Sequence, residues 1–120
     1  MANELTINMN ASFTKNGATF SRFPSSFSVT CAGDYVQAGV MLVGTVAEAL
    51  PLGDVATPGY LLIHNLDATN FIEVGYDDTG FKNVVKVSAG KWGLCEMAQA
   101  APQVKADTGA CKAEYYLFPA

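Results

Sequence analysis

Charge is scarce in this chain of 120 residues: 15% of its side chains are Asp, Glu, Lys or Arg, and it has a single arginine, Arg22, and a single histidine, His64. Seven basic against eleven acidic residues leave a net charge of -4, with no basic cluster. A surface that binds nucleic-acid phosphates is lysine- and arginine-rich, so no nucleic-acid partner is expected. Long apolar runs are missing too. A membrane helix needs roughly 18 to 20 uninterrupted apolar residues, whereas the richest stretch here, Gly39 to Leu50, is short and contains Glu48; a soluble protein with no membrane partner is expected. The opening Met1-Ala2-Asn3-Glu4 has an acid where a signal peptide carries basic residues and then an apolar block, which argues against secretion by that route. Cys31, Cys95 and Cys111 form no CxxC or CxxH pair that would seed a zinc site. They are expected to be reduced thiols used as small apolar residues in a protein made in a cytoplasm.

What the chain does have is apolar side chains, 50% of the total, in a length that suits one domain with one core, residues 1–120. From Leu5 to Thr14 apolar and polar residues alternate without a break, the pattern of a strand with one buried face. Asn16-Gly17 tolerates the positive φ angles of a type I′ turn and sets Phe13 opposite Phe20 and Thr14 opposite Thr19. Pro24 should break the return strand, and alternation restarts at Phe27, Val29 and Cys31. Tyr35 to Val46 reads as a strand buried on both faces or bent, with a possible helical turn from Thr45 to Ala49. The connector from Leu50 to Gly59 is apolar for a loop, which implies a cover. Tyr60 to Asn65 and Asn70 to Tyr76 read as a hairpin that pairs Ile63 with Ile72 and His64 with Phe71. Strands are further expected at Lys82 to Val87, Trp92 to Met97, Gln103 to Ala106 and Cys111 to Phe118. Eight or nine short strands with a turn every eight to twelve residues predict an all-β antiparallel sandwich, jelly-roll-like.

Chemistry is hard to find in this pattern. Any mechanism that needs an imidazole must use His64; on the expected register it shares a face with Glu73, and the plain alternative is a hydrogen-bonded strand histidine. No GxSxG or other nucleophile context accompanies it. Asp77-Asp78-Thr79-Gly80 offers oxygen ligands but lacks the rest of an EF-hand loop, so an ordinary turn is preferred. Cys111 alternates with Ala113, Tyr115 and Leu117 as a core residue. There is no P-loop and no dinucleotide fingerprint. No catalytic, cofactor-binding or metal-binding residue is therefore assigned, and no enzyme activity or cofactor is expected. Tyr116 and Phe118 share the parity of Lys112 and Glu114, which either leaves two aromatics on the outer face of the last strand or, if a bulge shifts the parity, buries both rings. Exposed aromatics beside an apolar connector mark a protein interface. The expected contact residues are Leu52, Tyr116 and Phe118, with Leu5 and Ile7 on a first strand able to add to a neighbour's sheet edge.

From Glu48 to Leu117 the chain carries PGYLLIHNLDATNFIEVGYD from Pro58, SAGKWGLCEM from Ser88 and KAEYYLFPA from Lys112. This stretch resembles a group of small β-sandwich proteins of tailed-bacteriophage virions, in which a similar Gly-aromatic-Leu, Asn-Leu-Asp, Thr-Asn pattern occurs. The chain departs from it at Trp92 to Glu96, where Pro-Gly-Glu often opens the strand. The resemblance implies a non-enzymatic virion structural protein: a capsid decoration or cement protein that stabilises the phage head, assembled in the host cytoplasm, oligomeric, with the major capsid protein or other virion proteins as partners. A head-tail connector or tail component is the first alternative. A carbohydrate-binding module with Tyr76, Trp92 and Tyr116 as its platform is the second.

Overall fold

The computed structural model describes residues 3–22 and 26–120, and among these every strand pairing is antiparallel. The strands are β1 (Leu5–Ile7), β2 (Ala11–Lys15), β3 (Ala18–Arg22), β4 (Phe27–Val29), β5 (Gln37–Val43), β6 (Glu48–Ala49), β7 (Pro58–Asn65), β8 (Ile72–Asp77), β9 (Phe81–Val87), β10 (Trp92–Glu96), β11 (Gln103–Ala106) and β12 (Cys111–Pro119). The protein is all β and sandwich-like, as its periodicity predicts, with twelve strands among the described residues where eight or nine are expected. Part of the difference arises because the alternating run from Leu5 to Thr14 serves two partners. Its first part, β1, pairs with β4, and its second, β2, pairs with β3.

The chain forms two compact units, residues 1–31 and 32–120. In the first, β2 and β3 close on Asn16 and Gly17, both at positive φ (52° and 80°), with the predicted register Phe13 to Phe20 and Thr14 to Thr19. The expected buried face is not there: every residue of both strands is exposed. In the other pair of strands Ile7 is buried and Leu5 half-buried, and the Glu4 carboxylate accepts the Cys31 N–H at 3.1 Å, which holds its pKa below the usual carboxylate value. The strand break predicted at Pro24 lies outside the described residues.

The second unit stacks two four-stranded sheets, in the orders β10-β7-β12-β5 and β6-β11-β8-β9. Alternation aims one side chain in two at the space between them. Leu61 and Ile63 of β7, with Cys111, Ala113, Tyr115 and Leu117 of β12, meet Ile72 and Val74 of β8, Val87 of β9 and Val104 of β11 in one core. The apolar connector is covered by that same core. Leu50 and Val55 are buried in it and Leu52 packs against it, while the Tyr115 hydroxyl donates to the Pro51 carbonyl at 3.2 Å and accepts from Gln37 Nε2 at 3.3 Å.

The expected hairpin of β7 with β8 does not form, because the two strands belong to different sheets. Ile63 lies opposite Tyr115 and Gly93, and Ile72 opposite Val87 and Ala106; both are buried, but across the core from each other rather than in one ladder. Side chains turn the intervening loop into a corner. Buried Asn65 donates through Nδ2 to the carbonyls of Asn70 (2.9 Å) and Val87 (3.1 Å) and accepts the Asp67 N–H on Oδ1 at 2.9 Å. The Asp67 carboxylate in turn accepts the N–H groups of Thr69 and Asn70 at 2.9 and 2.6 Å. Bonds from Asn70 and then Thr69 hold its pKa below the ordinary value. Because the folded-state pKa is the lower one, Asp67 contributes stability that is present above about pH 4 and drains away as pH falls through its folded value. Melting curves from pH 2 to 7 should therefore show a shallower acid limb for Asp67→Asn than for the wild type; parallel limbs would mean that the loop bonds are not made in solution.

Two smaller expectations also change. β5 is not buried on both faces, since Ala38, Val40 and Leu42 point outward and are exposed. The segment from Thr45 to Ala49 holds the two-residue strand β6 and no helical turn.

Candidate functional site

The outer faces of the two sheets differ in chemistry. On β6-β11-β8-β9, Glu73 lies between Lys86 and Lys105 in register, and the Lys86 ammonium sits 4.4 Å from the centre of the Phe71 ring. That is an ordinary solvated face. On β10-β7-β12-β5 the outward positions form rows fixed by the register: Trp92, His64, Glu114 and Val40 in one, Leu94, Leu62, Tyr116 and Ala38 in the next, with Glu96 beside Tyr60 beyond them. Here Trp92 is 53% exposed, Val40 58% and Leu42 67%. Scattered apolar residues on a surface need no explanation, but a contiguous band across four strands marks a contact surface.

The β10 end of the band is preorganised. The His64 imidazole lies parallel to the Trp92 indole, with ring centroids 4.1 Å apart and an 8° angle between planes. Its Nδ1 is 2.8 Å from Glu114 Oε1, and the Tyr116 hydroxyl reaches Glu114 Oε2 at 3.4 Å. An ionised Glu114 only accepts, so Nδ1 carries the proton in this pair. At the edge of the band the Tyr60 hydroxyl donates to Glu96 Oε2 at 3.3 Å; desolvation first, then the carboxylate charge, raises the pKa of that phenol. The arrangement fixes two aromatic rings and two hydroxyls on a rigid sheet. His64 is thus held by Glu114 rather than by Glu73, which faces outward on the other sheet.

The other candidates fall away from this band. The Asp77 carboxylate accepts the Gly80 N–H at 3.1 Å and so closes its own turn, and among the described residues no three of His, Cys, Asp and Glu gather into a metal-sized cluster. Cys111 is buried in the core as its parity predicts; desolvation, then the charges of Asp67 and Asp107, raise its thiol pKa, which works against a nucleophilic thiolate. A cavity of about 350 Å³ opens between Asp34, Tyr35, Asp54, Val55, Thr57 and Pro119, and a smaller one of about 120 Å³ lies beside Tyr76, Val85, Cys95 and Met97.

Of the residues expected at an interface, Tyr116 and Phe118 lie half-buried on the outer face with Lys112 and Glu114, so no bulge reverses their parity; the register shift comes only between Leu117 and Pro119. Leu52 packs against the protein's own core, Ile7 is buried and Leu5 half-buried. Tyr76 stands on β8, in the sheet opposite Trp92 and Tyr116, so these three rings do not make one platform. Sequence reasoning missed Val40, Leu42 and Leu94 as surface residues, along with the Trp92–His64 stack. The alternation of β5 and β10 carried the signal for the first three, whereas the stack depends on pairing between β7 and β10 that no local pattern announces. The chain matches no protein-family model, no curated protein and no solved structure.

Proposed function

We propose that this protein is a non-enzymatic structural component of a larger assembly, which works by burying the outer face of the β10-β7-β12-β5 sheet against a partner chain. The observation that carries this reading is the contrast between the two outer faces: one has Glu73, Lys86 and Lys105 with Val84 as its single large exposed apolar side chain among the described residues, the other exposes Trp92, Leu94, Val40 and Leu42 together. The only histidine adds support, since its Nδ1 is committed to Glu114 and one ring face to Trp92. Trp92 and its stacked His64 stand at the β10 end of the face beside aliphatic Leu62 and Leu94, and a rigid aromatic among aliphatic neighbours is the composition of a binding hot spot.

The resemblance of residues 48–117 to small sandwich proteins of tailed-phage virions gives this assembly its identity in the proposal: a decoration or cement protein on the head, seated on the major capsid protein in symmetric copies. A part of this kind functions by area rather than by chemistry. The test uses the double variant Leu42→Lys/Leu94→Lys. Both side chains are exposed, so folding should change by no more than about 0.5 kcal/mol per site. Wild-type protein mixed with particles lacking it should cosediment to a saturating, integer ratio with the major capsid protein, and the variant should stay in the supernatant. Wild-type protein that stays in the supernatant would refute the virion reading, and a variant that binds as well as wild type would refute the face.

A further inference from the structure

The hairpin of β2 and β3 has two unlike faces. Its register places Ala11, Phe13 and Lys15 beside Arg22, Phe20 and Ala18 on one face, and Ser12 and Thr14 beside Ser21 and Thr19 on the other. The hydroxyl face suits water. The first does not, because Phe13 and Phe20 form a directly opposed aromatic pair that is 59% and 63% exposed. A two-stranded hairpin is at best marginally stable alone in water, and burying an apolar face is what normally secures one. Lys15 and Arg22, at opposite ends of that pair, make no ion pair among the described residues.

The margin of the other unit is complementary. β5 is an edge strand of its sheet and presents Val40 and Leu42 outward, with Val36 before it and Val46 after it also exposed. Asp34 precedes this strip, and Glu48 follows it, its carboxylate on the Gly44 N–H at 3.2 Å. The hairpin is apolar in the middle and basic at both ends; the strip is apolar along its length, with Asp34 before it, Glu48 after it, and Glu114 and Lys112 alongside Val40 and Leu42. Charge follows the same division. Glu4 is the one acid before residue 32, so residues 32–120 hold ten of the eleven acids but only five of the seven basic residues. Lys15 and Arg22 are the other two.

We propose that the occupant of the β5 strip is a second copy of this chain, whose β2–β3 hairpin lies across Val40 and Leu42 with Phe13 and Phe20 against them and Lys15 and Arg22 near the acidic ends. One chain carries both halves of the match, so copies associate hairpin to strip. The inference rests on the reading of this face as an interface and names its partner along β5, while the Trp92 end remains for the rest of the assembly.

The experiment pairs two variants in sedimentation-velocity and light-scattering runs: Phe13→Ser/Phe20→Ser, which spoils the hairpin, and Val40→Lys/Leu42→Lys, which spoils the strip. Wild-type protein should form oligomers that loosen as salt is raised from 0.05 to 0.5 M. Either variant alone should associate at least roughly 100-fold more weakly, as the loss of anchoring contacts implies. Mixed, the two should recover a complex, since each supplies the half the other lacks. Circular dichroism of both confirms that the body still folds. A wild type that is monomeric at 100 µM overturns the proposal, and if that monomer floats with anionic lipid vesicles the hairpin serves a lipid surface instead. A hairpin variant that self-associates like wild type while the strip variant does not overturns the hairpin's role and leaves the face reading standing. A mixture that recovers no complex overturns the hairpin-to-strip match.

Discussion

Replacing Asn65 with alanine should cost about 3 to 5 kcal/mol, although it removes no apolar side chain. Asn65 is the only polar side chain buried in the core among the described residues, and its amide satisfies three backbone groups: the carbonyls of Asn70 and Val87 and the N–H of Asp67. Its own backbone adds two more ties, donating to the Lys91 carbonyl and accepting from the Gly90 N–H, both at 3.0 Å. Truncation leaves the three groups without partners at the point where the chain passes from one sheet to the other, and a buried group left unpaired costs roughly 1 to 3 kcal/mol. The effects are not additive, since a small cavity can admit a water. Chemical denaturation should give a lower midpoint with an unchanged slope. A loss below about 1 kcal/mol would mean that the corner is held by something else.

Ile72→Ala is the second large effect, expected at about 2 to 5 kcal/mol, the range for large-to-small changes in a core that cannot collapse around the gap. Ile72 is fully buried, and its neighbours across the core belong to the opposite sheet, whose spacing is fixed by two other ladders through β12. The outward-facing Val84 on the next strand is 68% exposed, and Val84→Ala should change stability by no more than about 0.5 kcal/mol. Equal losses at the two sites would show that the inward and outward assignments of the second sheet are wrong.

The same two residues show what the sequence reveals and what it conceals. A two-residue period tells which side chains share a face, and it does so well on β12, where Cys111, Ala113, Tyr115 and Leu117 point inward and Lys112, Glu114, Tyr116 and Phe118 outward. It says nothing about which strand lies alongside. The turn at Asn16-Gly17 was legible because its partners are adjacent in the chain and its φ angles demand those residues. Leu66 to Thr69 looked like a hairpin loop by length and composition, yet the bonds of Asn65 and Asp67 carry the chain across to the second sheet. That error moved His64 to the wrong neighbour. Its true partner, Glu114, is 50 residues away, and no alternation within β7 points to it. Leu50 to Gly59 is legible by half: its apolar residues imply a cover, but only the structure shows that the cover is the protein's own core, which Leu50 and Val55 enter, rather than a partner's surface.

A density map of the protein in its assembled state, at a resolution that places side chains, tests the central claim most directly. The band of Trp92, Leu94, Tyr116, Val40 and Leu42 should lie against another polypeptide chain, with at least about 1,000 Å² buried in total at the contact and the charged outer face of Glu73, Lys86 and Lys105 left in solvent. If the map instead shows the charged face in contact and the Trp92 band open to water, the account of how this protein works is wrong.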